Sequence, residues 1–97
     1  MRLEWDETKN QANIRKHGFD FADAAEMFRG ALLVEPDIRE DYGEQRWSGL
    51  GVVGGRIAKV IFTERDAGTI RIISLRKATS RERKQYEETI ENGLETH

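Results

Sequence analysis

Apolar and polar positions along the chain switch between helix-like spacing and strand-like alternation, and the switches mark its elements. Residues 2–5 read as a short strand leading into Asp6, whose carboxylate suits a helix N-cap. Helix formers run from Glu7 to His17, and Gly18 stands where a left-handed C-cap falls. Asp20 caps a second helix in which Phe21, Ala24, Ala25 and Phe28 follow i, i+3, i+4, i+7 spacing, with Gly30 as its stop. Strands are then predicted over Ala31–Glu35, ended by Pro36, over Glu44–Val53, over Arg56–Glu64 and over Thr69–Ala78. Gly54 and Gly55 supply a tight hairpin, and Asp66–Gly68 supply another turn. Thr79 and Glu82 have capping-box spacing, so a last helix starts near Ser80. Its apolar stripe, Tyr86, Ile90 and Leu94, is narrow, which marks this helix as the element most dependent on a partner. The order is β-α-α-β-β-β-β-α, an α+β fold with helices on a mainly antiparallel sheet.

With 97 residues the chain is expected to be one domain. It has no cysteine, which removes disulfides, thiolate metal sites and thiol nucleophiles together and suits a reducing cytoplasm. No apolar run at the start reads as a signal peptide, and none reaches membrane-spanning length, so no membrane association is expected. The net charge of −2 conceals a strong asymmetry. Residues 56–84 hold nine Lys/Arg against three Asp/Glu, whereas residues 1–55 hold seven against eleven and residues 85–97 hold four acids and no base. A basic segment in an otherwise acidic chain is a localised anion site whose natural target is a phosphate backbone, although most surface charge is merely solvated or paired.

Within that segment, period-two alternation puts Arg71, Ile73, Leu75 and Lys77 on one face of the last strand and Ile70, Ile72, Ser74 and Arg76 on the other. Arg76 and Lys77 are expected to emerge beside the last helix, where an anion would also meet its first backbone N–H groups; pairing with Glu82 is the competing reading. His17 is first of all a cation for a helix C-terminus, and proton transfer is its functional alternative. His97 reads as a frayed end. Trp5 and Trp47 read as core anchors rather than base-stacking platforms. No Walker loop, dinucleotide glycine pattern, metal-ligand spacing or G-x-S-x-G elbow is present, so neither cofactor nor metal is expected.

An ordered set of short motifs resembles the BrnT family of type II toxins: Glu4-Trp5-Asp6, Lys16-His17-Gly18, Phe21 with Ala24, Ala25 and Phe28, then Gly43, Glu44 and Arg46. The set continues through Thr63-Glu64-Arg65, Arg71-Ile72-Ile73-Ser74, Arg76-Lys77-Ala78, and Glu82 with Tyr86, while Leu75 stands where the family pattern has a small residue. The resemblance implies a RelE-like fold and a metal-independent endoribonuclease, neutralised by a BrnA-type antitoxin with a ribbon-helix-helix domain; DNA would be met only through that antitoxin. Cleaving RNA without a metal requires a base for the ribose 2′-OH, cations for the phosphorane and an acid for the leaving 5′-oxygen. The candidates for chemistry are Arg65 and Arg76 as cations, with His17, Glu44 and Tyr86 as proton carriers whose individual roles stay open. Lys16, Arg46, Arg71, Lys77 and Arg81 are the expected RNA contacts. The alternative is a non-catalytic RNA- or protein-binding module on the same fold.

Overall fold

The computed structural model describes residues 1–95. Its sheet has five strands: β1 (Arg2–Glu4), β2 (Leu33–Pro36), β3 (Trp47–Val53), β4 (Arg56–Asp66) and β5 (Thr69–Lys77), in spatial order β1-β5-β4-β3-β2. Strands β2 to β5 form the expected antiparallel meander, and β1 adds to the edge of β5 in parallel, with Leu3 opposite Ile70. The hairpin between β3 and β4 turns on Gly54 and Gly55, both at positive φ (56° and 79°) where a side chain would be strained. β3 begins at Trp47, three residues later than its spacing predicted, because Glu44–Arg46 belong to the loop that Asp37 closes by donating its N–H to Arg46 O. Asp37 is buried, and its carboxylate holds Arg39 through two hydrogen bonds of 2.8 and 2.9 Å, which keeps it below the usual carboxylate range. Pro36 is the last residue of β2 rather than its stop; β2 is an edge strand, where a missing N–H breaks no ladder.

Helix α1 (Glu7–His17) has the predicted caps, Asp6 accepting from Lys9 N–H and Gly18 in the left-handed region. Its buried face is polar, made of Asn10 and Asn13. Asn13 Nδ2 donates to the carbonyls of Phe19 (3.0 Å) and Leu75 (2.8 Å), and its Oδ1 accepts from Leu75 N–H. One amide side chain thus completes the edge of β5 beyond the point where β1 ends. Asn10 does the same for the next turn, accepting from Phe21 N–H and donating to Asp20.

The second helical region differs from its prediction. It opens as a 3₁₀ turn over Phe21–Asp23 and becomes α2 only at Ala24–Arg29. The tighter turn changes the phase, so Phe21, Ala24 and Met27 are buried and Phe28 is only half-buried, set edge-on to Phe62. These side chains pack with Phe19, Val53, Ala58, Val60, Phe62, Ile72 and Leu75 in the main core, against which Trp5 and Trp47 also lie. Gly49 and Gly51 admit this layer: a Cβ on either would stand 3.0–3.1 Å from Leu32 Cδ1.

Helix α3 (Ser80–Glu95) covers part of the opposite side of the sheet, where Tyr86 joins Leu50 and Ala78, with Leu33, Ile57 and Ile90 around them. The side chain of Leu94 and the whole of His97 lie outside the described residues. Its first turn is held by the predicted capping box: Thr79 N–H donates to Glu82 Oε1, and Glu82 N–H to Thr79 Oγ1. Among the described residues no helix is long and apolar enough to cross a membrane.

Candidate functional site

The alternation assumed for β5 is broken by a bulge. Ile61 pairs with Ser74 but the next residue, Phe62, pairs with Ile72, so Ile73 is the extra residue. Beyond it the faces exchange. Leu75 and Lys77 follow Ile72 on the side of α1, whereas Arg76 shares the α3 side with Ser74 and Arg71, corrected from the opposite-face placement that strict alternation predicts. The bulge therefore gathers Arg71 and Arg76 on one side of the sheet, with Lys59 of β4 directly opposite Arg76.

Neither of those arginines is free. Arg71 pairs with Glu4 at 2.8 Å. Arg76 donates Nη1 and Nη2 to the two carboxylate oxygens of Glu82 at 2.8 and 3.0 Å, and Nη1 also to Lys77 O. Three of the donor contacts a guanidinium can make are used, and two of its five N–H groups remain. Lys59 Nζ reaches the same carboxylate at 3.2 Å. Two cations and the cap N–H of Thr79 hold Glu82 ionised, its pKa lowered to about 2, chiefly by Arg76 and against the cost of burial. Part of the expected anion site is thus already occupied by the protein itself: the Glu82 carboxylate takes the N–H of Thr79 just ahead of α3, and the Glu82 N–H goes to Thr79 Oγ1.

His17 is half-buried at the end of α1, and its pKa lies below the ordinary value of 6.5 because of burial first, then Lys16 and Arg76. A neutral imidazole beside cations is a competent proton acceptor at neutral pH. Phe19, two residues on, carries the guanidinium of Arg56 over its ring at 4.5 Å. Arg56 in turn lines an open groove with Lys77 and Arg83. The C-terminal end of α1, the β3–β4 hairpin, the end of β5 and the start of α3 thus converge on one basic end of the sheet, with Lys16, His17, Arg76 and Lys77 from the predicted set. Arg81, on the first turn of α3, is exposed there. Arg56 and Arg83 were missed because neither stands in a motif; only the fold brings them beside Lys77.

The remaining predicted residues lie elsewhere. Arg65 and Glu44 share a different open groove with Trp47 and Thr63. Arg65 is six residues along β4 from Lys59, the partner of Arg76, hence about 20 Å away. One phosphodiester cannot contact both, so the expected single constellation of Arg65, Glu44, Arg76 and His17 divides in two. Glu44 is also paired with Arg46 at 3.0 Å, and Arg46 stacks on Tyr42. Tyr86 is buried, and its hydroxyl donates to Ala31 O at 2.8 Å, which anchors α3. Among the described residues no group of three or more histidines and carboxylates is placed to hold a metal ion.

The family model described as ribonuclease toxin, BrnT, of type II toxin–antitoxin systems matches residues 5–82, from Trp5 through the first turn of α3. Among solved structures, the chain is similar to the Brucella abortus ribonuclease toxin, BrnT, with a TM-score of 0.68 and 36% identity, covering 82% of this chain and 99% of that one. Among curated protein sequences none matches.

Proposed function

We propose that this chain, which belongs to the BrnT family of ribonuclease toxins of type II toxin–antitoxin systems, is a metal-independent endoribonuclease working at the basic end of its sheet. The observation that carries the reading is the half-buried imidazole of His17 at the end of α1, where burial first, then the charges of Lys16 and Arg76, lower its pKa. In the proposed reaction His17 takes the proton of a ribose 2′-OH. The 2′-oxygen attacks phosphorus, the bond to the 5′-oxygen breaks, and the imidazolium returns a proton to that leaving oxygen. Arg76 and Lys16 stabilise the charge that builds on the phosphorane. Glu82 does not touch RNA in this scheme; it fixes the Arg76 guanidinium in place. Arg46, Arg65 and Arg71, at the far end and along the sheet, contact longer RNA outside the reacting phosphate.

The partner is a BrnA-type antitoxin with a ribbon-helix-helix domain, and the site of action is the cytoplasm. Covering Lys77, Arg81 and Arg83 without partners would be costly, so the antitoxin presents acidic side chains there. It competes with RNA and slows amide exchange in residues 80–94.

The test is incubation of purified protein with bare RNA at low salt in EDTA. Cleavage is expected, with products ending in a 2′,3′-cyclic phosphate or a 3′-phosphate. RNA that is bound but left intact would instead favour a non-catalytic binding module, and activity lost in EDTA and restored by magnesium would overturn metal independence.

A further inference from the structure

We propose that Arg56, Lys77 and Arg83 form a phosphodiester subsite that holds an RNA strand beside the reacting phosphate, a proposal that rests on the ribonuclease reading and extends it. The three side chains come from the β3–β4 hairpin, the end of β5 and the first turns of α3, and they line one open groove with Gly55, Ile57 and Ala78. Among the described residues, Glu87 is its one carboxylate and none of the three cations is ion-paired. That sets them apart from Lys59, Arg71 and Arg76, whose charges are answered by Glu82 and Glu4. Fixed surface charge left unanswered at a concave spot is where a polyanion gains most from displacing counterions.

Arg56 is the preorganised member. Its guanidinium lies over the Phe19 ring, so its plane is set before a ligand arrives and its edge stays available for two parallel hydrogen bonds to phosphate oxygens. The tight Gly54–Gly55 turn fixes the backbone that carries it. Phe19 is two residues from His17, within about 7 Å along the chain, so a phosphate held by Arg56 is next to the one whose 2′-OH faces the imidazole. A strand of RNA fits this spacing better than an acidic protein segment, because regularly spaced anions on one flexible backbone can occupy the Arg76 end and the groove together.

The experiment measures the affinity of a fluorescent, fully 2′-O-methylated oligonucleotide, which binds but lacks the attacking hydroxyl, across a salt series for the wild type, Arg56→Gln, Arg83→Gln and the double variant. Each lost phosphate contact is expected to reduce the slope of log affinity against log salt by about 0.7, the single-strand value, and the double variant by about 1.4. Lys9→Gln, at the opposite end of α1, keeps the wild-type slope. Arg83 is exposed on a helix, so its variant folds even if the loss of the Arg56–Phe19 contact loosens the hairpin. A wild-type slope in the double variant overturns the subsite, as does failure of the wild type to bind the oligonucleotide at low salt. So does a double variant that loses affinity for an antitoxin while its RNA slope is unchanged. Cleavage of unmodified RNA is scored separately: wild-type binding without cleavage, with the slopes reduced as expected, sinks the ribonuclease reading and leaves the subsite standing.

Discussion

Replacing Glu82 by Gln removes one charge from the junction of β5 and α3 while keeping its shape and its ability to cap, since an amide oxygen can still accept from Thr79 N–H. What is lost is the anion between Arg76 and Lys59. The Glu82 carboxyl has a pKa of about 2 in the folded chain against an ordinary 4.5. Folding thus favours its ionised form, so the stabilisation is complete above the ordinary value and is lost as pH falls from 4.5 toward 2. At about 1.36 kcal/mol per pH unit, that difference corresponds to roughly 3 kcal/mol at neutral pH. The side chain is only 19% exposed, so solvent screening removes little of it. Urea titrations at a series of pH values, followed by the fluorescence of Trp5 and Trp47, should find Glu82→Gln less stable by about 3 kcal/mol at pH 7. The gap should narrow below pH 5 and close near pH 2, with unchanged m-values. A gap that stays constant between pH 7 and 3, or no gap at neutral pH, would refute the reasoning.

Three further outcomes are expected. Cleavage by the wild type should hold down to pH 6.5 and fall only below it, because the base form of His17 persists there; His17→Gln should lose that acid limb and about 10²–10⁴-fold in rate, and a retained limb would exclude the imidazole. Asn13→Ala, which orphans the N–H and C=O of Leu75 and the carbonyl of Phe19, should cost about 2–3 kcal/mol in chemical unfolding, more than a surface substitution on the same helix. Tyr86→Phe should lower stability by about 1 kcal/mol through the lost bond to Ala31 O yet leave the cleavage rate per folded molecule unchanged; a hundredfold slower folded variant would return the hydroxyl to the chemistry.

The element order was legible in the sequence because it rests on local physics. Asp6 and Gly18 cap α1, Thr79 and Glu82 open α3, and Gly54–Gly55 turn the hairpin through bonds and dihedral preferences spanning a few residues. The motif set also carried the family. What lay beyond it depends on contacts between segments far apart in the chain. The bulge at Ile73 exists only in the pairing of β5 with β4, and it decides that Arg76 faces Arg71 and Glu82 rather than the core. The parallel docking of β1, and the edge-mimicking amide of Asn13, likewise need a strand that is more than sixty residues away. Charge counting found the basic segment but gave no information on which cations are answered. Glu82 neutralises Arg76 and Lys59, and Glu4 pairs with Arg71 across 67 residues, while Arg56, Lys77 and Arg83 meet with none of them paired among the described residues. A sequence sets how many charges the chain carries, whereas their pairing is a property of distances, and those distances are set by the tertiary fold.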